Sequence, residues 1–350
     1  NAMIRDIRNA EHTVNIMFFI IKYDEVGRKL LEELTLKARE GVEVRLMMDS
    51  MGSRRINDRV LEDFLRAGGR RSYFFPRRFK LVNIKFNYRN HRKLVVIDGE
   101  IGYIGGFNIA REYLGRKKKF GYWRDTHIRI TGQAVQDINA RFLMDWRFSS
   151  GEDLTLSEAY YSPVIKRGVT GIQIVSSGPD SLREEVKRAY MKMITSSSRS
   201  VYIQTPYFVP DPSILESLKM AAQCGVDVRL MIPCKPDHPF VYWATYAYAG
   251  ELIRSGGHVY IYDNGFLHAK TIVVDGEVGS VGSTNFDRRS FALNFESNAF
   301  IYDRQEAEKM ERIFRKDMES CHELTRELYD DRDISVKVRE VAARLLSDLL

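Results

Sequence analysis

Two short runs in this 350-residue chain hold the residue types of phosphodiester chemistry at one shared spacing. The first is His91-Arg92-Lys93, four residues, then Asp98, followed by Gly105-Gly106-Phe107-Asn108. The second is His268-Ala269-Lys270, four residues, then Asp275, followed by Gly282-Ser283-Thr284-Asn285. An imidazole can attack phosphorus and hold a covalent intermediate. A second can protonate the departing alcohol and deprotonate the incoming one. Lys93, Lys270, Asn108 and Asn285 can neutralise the non-bridging oxygens as charge builds. One such run could be a packing feature. Two with identical spacing, at equivalent points of an internal repeat, cannot be dismissed that way. The scheme needs no metal and no cofactor: there is no His-Glu-x-x-His and no clustered carboxylate set.

Residues 94–97 and 271–274 are strand formers, and Asp-Gly after each predicts a tight hairpin turn. If the motifs lie on strands, positions i and i+2 share a face and each His sits beside its Lys. Asp98 and Asp275 then have opposite parity, lie at the strand ends, and read as structural. The Gly-Gly-x-Asn and Gly-Ser-x-Asn turns bring the backbone close and set an amide near an expected helix start, where phosphate oxygens bind well. Each imidazole also needs a partner to fix its tautomer. Asp125 follows His91 and Glu296 follows His268, so both are candidate orienting carboxylates. Each reads equally as an ordinary salt-bridging acid.

The elements that must position these residues repeat as well. Gly41-Val42-Glu43-Val44-Arg45-Leu46-Met47-Met48 returns as Gly225-Val226-Asp227-Val228-Arg229-Leu230-Met231-Ile232. Helical patterns precede the copies, over 27–40 and 213–224. The strand 14–21 corresponds to 201–209, and 91–108 corresponds to 268–285. Such alternation argues for an α/β fold. The break falls in the Ser149–Pro163 stretch, giving an N-terminal half over 3–150 and a C-terminal half over 163–350. Apolar residues at 334, 338, 341, 345 and 349 make one stripe of a terminal helix. Docking of this stripe on the core is the simpler expectation, and contact with a membrane surface the other.

A 44% apolar fraction with 11% aromatics suffices for a sizeable core and argues against general disorder. The net charge of +7 suits a polyanionic partner without choosing among nucleic acid, anionic membrane and phosphorylated substrates. Three cysteines without a Cys-x-x-Cys argue against a disulfide framework or zinc ribbon and fit a reduced compartment. No apolar run approaches the roughly 20 residues a membrane span needs. Asn1-Ala2-Met3 has the look of a tag-cleavage scar.

The doubled motif resembles that of the phospholipase D superfamily, and the finer match is to bacterial cardiolipin synthases. The segments that carry it are Asn90-His91-Arg92-Lys93, Trp123-Arg124-Asp125-Thr126, Gln204-Thr205-Pro206-Tyr207-Phe208-Val209-Pro210, Gly265-Phe266-Leu267-His268-Ala269-Lys270 and Asp287-Arg288-Arg289-Ser290-Phe291, leading to Asn294-Phe295-Glu296. The likeness covers nearly the whole chain. It implies two pseudo-twofold-related α/β halves with central mixed sheets flanked by helices, and one active site at their interface. It implies that one His attacks phosphatidylglycerol and releases glycerol, and that a second phosphatidylglycerol takes the phosphatidyl group to give cardiolipin. By the resemblance His91 is the nucleophile, His268 the acid and base, and Asp125 and Glu296 the supporting carboxylates. Tyr207 and Ser283 are candidate substrate contacts. The resemblance also implies an anionic membrane surface on the cytoplasmic face of the bacterial cell membrane. Relatives carry an N-terminal membrane-spanning region that is absent here, which points to truncation.

Other stretches read two ways. Residues 66–93 hold ten Lys or Arg, no Asp or Glu, and interleaved Phe and Tyr. An anionic bilayer suits this better than a solvated loop, and nucleic acid would also use such residues. Arg116-Lys117-Lys118-Lys119 reads as a solvated basic run. The aromatic stretch 233–248 is either an acyl-chain contact or an ordinary amphipathic helix. His12, His127, His258 and His322 belong to no motif and read as structural. A phospholipase D hydrolase is the nearest rival function, then a nuclease of the same chemistry. A non-catalytic lipid-binding module would be expected to have lost a motif His or Lys, and none is missing. Nucleic acid is not an expected partner, and oligomeric state is not legible.

Overall fold

A computed structural model describes residues 1–75, 87–155, 157, 160–161 and 168–347. The chain divides into two compact units: Asn1–Leu114 with His127–Val169, and Gly115–Thr126 with Thr170–Leu350. Each is a mixed α/β layer structure.

In the first unit, six strands run in the order Arg70–Phe74, Glu43–Asp49, Thr13–Phe18, Leu94–Ile97, Ile101–Gly105, His127–Thr131. Thr13–Phe18 and Glu43–Asp49 are parallel and joined through the helix Glu25–Arg39. Asp24 starts that helix by accepting the Val26 and Gly27 N–H groups at 3.0 and 3.2 Å, a side-chain N-cap. Leu30, Leu31, Leu34 and Ala38 form its buried stripe. Leu94–Ile97 lies antiparallel to Thr13–Phe18, with Val14 opposite Ile97. The helix Ala134–Ser150 covers the sheet with Ile138, Phe142, Leu143 and Trp146 buried, and ends at Gly151 in the left-handed region.

The second unit repeats this plan. Ser200–Gln204 and Asp227–Pro233 are parallel, with the helix Pro212–Gln223 between them. Asp211 caps that helix at the Ile214 N–H, 3.0 Å. Thr271–Val274 is antiparallel to Ser200–Gln204, with Val201 opposite Val274. Val278–Gly282 and Asn294–Tyr302 follow, and Gly171–Ser177 pairs with the latter. On the other side come His258–Tyr262 and Cys321–Glu323.

Both Asp-Gly turns form as read. Asp98 and Gly99 have φ of 53° and 65°, and Asp275 and Gly276 have 55° and 63°, the signature of a type I′ turn. Four expectations change. The strand expected over 201–209 breaks into Ser200–Gln204 and Phe208–Val209. Pro206 has no N–H for a ladder, and the Thr205 hydroxyl takes up the Phe286 N–H at 3.2 Å instead. Residues 91–93 and 268–270 lie just ahead of their strands rather than on them. Gly115–Thr126, within the half read as 3–150, groups with the second unit because Trp123–Arg124 pairs with Phe266–Leu267. Finally, the terminal helix Ile334–Leu345 packs on the helix Pro239–Arg254 without burying its apolar stripe. Position 349 and much of the basic stretch 66–93 lie outside the described residues.

No described helix is long and apolar enough to cross a membrane. Cys224, Cys234 and Cys321 are unbridged.

Candidate active site

In the first unit, the motif is gripped on both sides of its histidine. Asp49, at the end of Glu43–Asp49, accepts the Asn90 N–H at 3.1 Å. The Asn90 side chain accepts the Arg92 N–H at 3.1 Å. The fully buried Arg92 guanidinium lies 3.0 and 2.7 Å from the two oxygens of buried Asp145, which Arg141 also approaches at 2.7 Å. Removing one partner of such a pair leaves a buried charge uncompensated. Between these fixed neighbours, His91 is half-buried and meets the edge of Phe19 at 5.1 Å between ring centres. Lys93 is buried and donates to the His91 carbonyl. Asn108 accepts the Ile20 N–H at 3.1 Å and donates to the Tyr113 hydroxyl at 3.0 Å.

The second unit shows the same fold-back: Lys270 donates to the His268 carbonyl at 2.5 Å. Here the middle residue is Ala269, buried in an apolar cluster, where the first motif has its charged Arg92. His268 is buried, and its Nδ1 lies 2.7 Å from Asp125 Oδ2. The other carboxylate oxygen accepts the Thr126 N–H at 2.8 Å. A carboxylate at Nδ1 holds the proton there and leaves the chemistry to Nε2.

Asp125 was expected to serve His91, and the structure gives it to His268. The cause is a two-residue parallel ladder, Trp123 opposite Phe266 and Arg124 opposite Leu267, which carries the next pair, Asp125 and His268, into register. Gly265 permits the approach: its φ is +106°, and a Cβ there would strike the backbone of Tyr122. Arg124 anchors the segment, with its Nε 2.8 Å from Asp317 on the helix Arg304–Met318. Gln204 reaches the same carboxylate at 2.8 Å.

Burial pushes the Asp125 carboxyl up, but the His268 charge and hydrogen bond, Lys270 and the Thr126 N–H together hold it below the usual carboxylate range. Burial lowers the Lys270 ammonium to about 8, against the pull of Asp125, Glu296, Asp237 and Asp287. Glu296 is fully buried. It accepts from the Ser283 hydroxyl, and Asn294 Nδ2 lies 3.3 Å away. Asn285 donates to Asp287 at 3.1 Å. Asp287 in turn caps the short helix Arg288–Ala292 at the Ser290 N–H, so that helix start, read as a phosphate seat, is taken by a carboxylate. An amide NH₂ has two donors, so one contact does not exhaust Asn285 or Asn108.

Asp98 and Asp275 point away from this chemistry. Asp98 accepts the Glu11, His12 and Thr13 N–H groups at 2.9, 2.8 and 2.8 Å. Asp275 accepts those of Ser198, Arg199 and Ser200, each at 2.8 Å. Tyr207 donates to Asp237, a residue with no signal in the sequence beyond its place after Lys235-Pro236. In the helix Pro239–Arg254, the rings of Phe240, Trp243 and Tyr246 pack on the core, as in an ordinary packed helix. His258 and His322 pair with Glu323 and Asp263, each at 2.7 Å.

Residues 3–146 and 190–318 match the family described as Cardiolipin synthase, PLD-like domain. The chain is also 51% identical over 351 residues to a cardiolipin synthase of Listeria monocytogenes serotype 4a (strain HCC23), across 100% of this chain and 73% of that protein. The chain belongs to the phospholipase D-like cardiolipin synthase family. A second member of this cardiolipin synthase family, from Staphylococcus aureus (strain Mu50), is 50% identical over 349 residues, 99% of this chain and 71% of its own length. Among solved structures, the phosphatidylserine synthase of Haemophilus influenzae Rd KW20 matches with a TM-score of 0.75, covering 99% of this chain and 90% of that one. At 17% identity this is a likeness of fold.

Proposed function

We propose that the chain is the catalytic region of a cardiolipin synthase, a phosphatidyltransferase that moves a phosphatidyl group from one phosphatidylglycerol to another and releases glycerol. The observation that carries this is the match of the whole chain, at about half identity, to cardiolipin synthases, with both His-x-Lys motifs intact. In the proposed first step, a nitrogen of His91 bonds to phosphorus as the bond to the headgroup glycerol breaks. His268, entering as imidazolium, gives its Nε2 proton to that glycerol oxygen. In the second step the glycerol hydroxyl of another phosphatidylglycerol loses its proton to His268 and displaces His91 from phosphorus. Charge balance supports the acid–base role for His268: the Asp125 carboxylate 2.7 Å from Nδ1 favours the imidazolium this role requires. Lys93, Lys270, Asn108 and Asn285 are the proposed partners of the phosphoryl oxygens, Glu296 a supporting carboxylate, and Tyr207 and Ser283 substrate contacts. Asp98 and Asp275 have a structural part. The substrate places the reaction at an anionic membrane surface, which we assign to the cytoplasmic face of the cell membrane.

Product analysis by mass spectrometry tests this. Protein with phosphatidylglycerol vesicles is expected to yield cardiolipin and glycerol, and His91→Ala and His268→Ala to yield neither. Phosphatidic acid without cardiolipin would make the enzyme a hydrolase instead.

A further inference from the structure

The helix Ile334–Leu345 turns its apolar stripe away from the unit it packs on. Ile334, Val338, Val341 and Leu345 share one helix face, and they are 73, 61, 58 and 78% exposed. The opposite face anchors the helix. Glu340 and Ala343 are buried, with Arg332 2.6 Å from the Glu340 carboxylate. Just beyond, the Ser347 and Tyr248 hydroxyls meet at 3.1 Å. Asp333 caps the start at the Ser335 N–H, 2.7 Å. The outward direction of the stripe is therefore fixed by contacts on the far side, and the helix lies beyond the residues matched to the family.

One margin of the stripe is cationic. At 100° per residue, Lys337 and Arg344 run along one side, while Arg339 lies about 130° from the stripe, toward the supporting helix. Lys337 is steadied by the Asp330 carbonyl at 2.6 Å, Arg344 by Glu251, and Arg339 lies 5.6 Å over the Trp243 ring. The helix's own carboxylate, Glu340, is the buried one. Contiguous exposed apolar surface of this kind calls for a cover. In an antiparallel two-fold pairing with a second copy, this cationic margin would face its own copy. An anionic bilayer complements both the stripe and its rim.

We propose that this helix docks in the plane of an anionic lipid interface, with the four apolar side chains in the headgroup–acyl boundary and Lys337 and Arg344 at the lipid phosphates. The contact would steady the second unit at its substrate's surface. The helix packs on Pro239–Arg254, whose start follows Asp237, the partner of Tyr207 and one of the carboxylates acting on Lys270. This deepens the reading of the chain as a lipid-using enzyme and rests on it.

Flotation with vesicles tests the contact. The parent protein is expected to bind vesicles of equal parts phosphatidylglycerol and phosphatidylcholine, and to bind pure phosphatidylcholine weakly. Val338→Asp with Val341→Asp should cut partitioning into the mixed vesicles at least tenfold at an unchanged melting temperature. A Val341→Trp variant should add blue-shifted emission with the mixed vesicles alone. In detergent micelles of phosphatidylglycerol the double variant should keep parental turnover while losing it on vesicles. Parent-like flotation of the double variant, a Val341→Trp signal unmoved by vesicles, or a parental dimer that the double variant dissolves would overturn the proposal. A parent that binds vesicles through this helix yet makes no cardiolipin in either medium would defeat the enzymatic reading alone.

Discussion

The Asp125 carboxylate sets the tautomer of His268 from a segment 143 residues away in sequence. Asp125→Asn keeps the shape and removes the charge, so it is expected to lower kcat by about a hundredfold or more, the usual worth of positioned acid–base catalysis, with little change in KM. Steady-state kinetics on phosphatidylglycerol checks the split. Lys270 gives a pH signature. With its ammonium lowered to about 8 from 10.5, the folded chain binds fewer protons than the unfolded one between those values. Its contribution to stability therefore rises with pH across that window, while the cation proposed to meet the phosphoryl group is lost. The kcat/KM profile should fall from about pH 8 without a loss of melting temperature from this group. The motif residues were legible in the sequence because two copies share one spacing. The partner of Asp125 was not, because a two-residue ladder leaves no periodic pattern.

At the scale of elements, the two Asp-Gly hairpins do the same work twice. Each Asp sits at positive φ and ties three backbone N–H groups at the start of the neighbouring strand. Asp275→Ala removes these acceptors and places a less tolerant residue in the left-handed region. It should lose about 3 kcal/mol, roughly 1 per hydrogen bond, in urea unfolding, while turnover per folded molecule holds. The strands and crossover helices were readable from alternation and repeat. The positions of the His-x-Lys runs just off their strands were not, since an extended approach and a paired strand share one local pattern. The terminal helix shows the same limit: its stripe at 334, 338, 341 and 345 was plain, but a stripe does not say whether protein or lipid covers it.

Across the whole molecule, two units built on equivalent registers, Val14 opposite Ile97 and Val201 opposite Val274, account for the internal repeat. The repeat and the family likeness were both present in the sequence. The grouping of Gly115–Thr126 with the second unit was not, because it depends on pairing across a long stretch of chain. In the proposed reaction the phosphatidyl group is held on His91 between donor and acceptor. Rapid mixing with phosphatidylglycerol, an alkaline quench that preserves a phosphorus–nitrogen bond, and peptide mass spectrometry test it directly. A phosphatidyl adduct is expected on the His91 peptide, formed faster than cardiolipin and absent from His91→Ala. An adduct on His268 instead, or undiminished cardiolipin synthesis by His91→Ala, would contradict it.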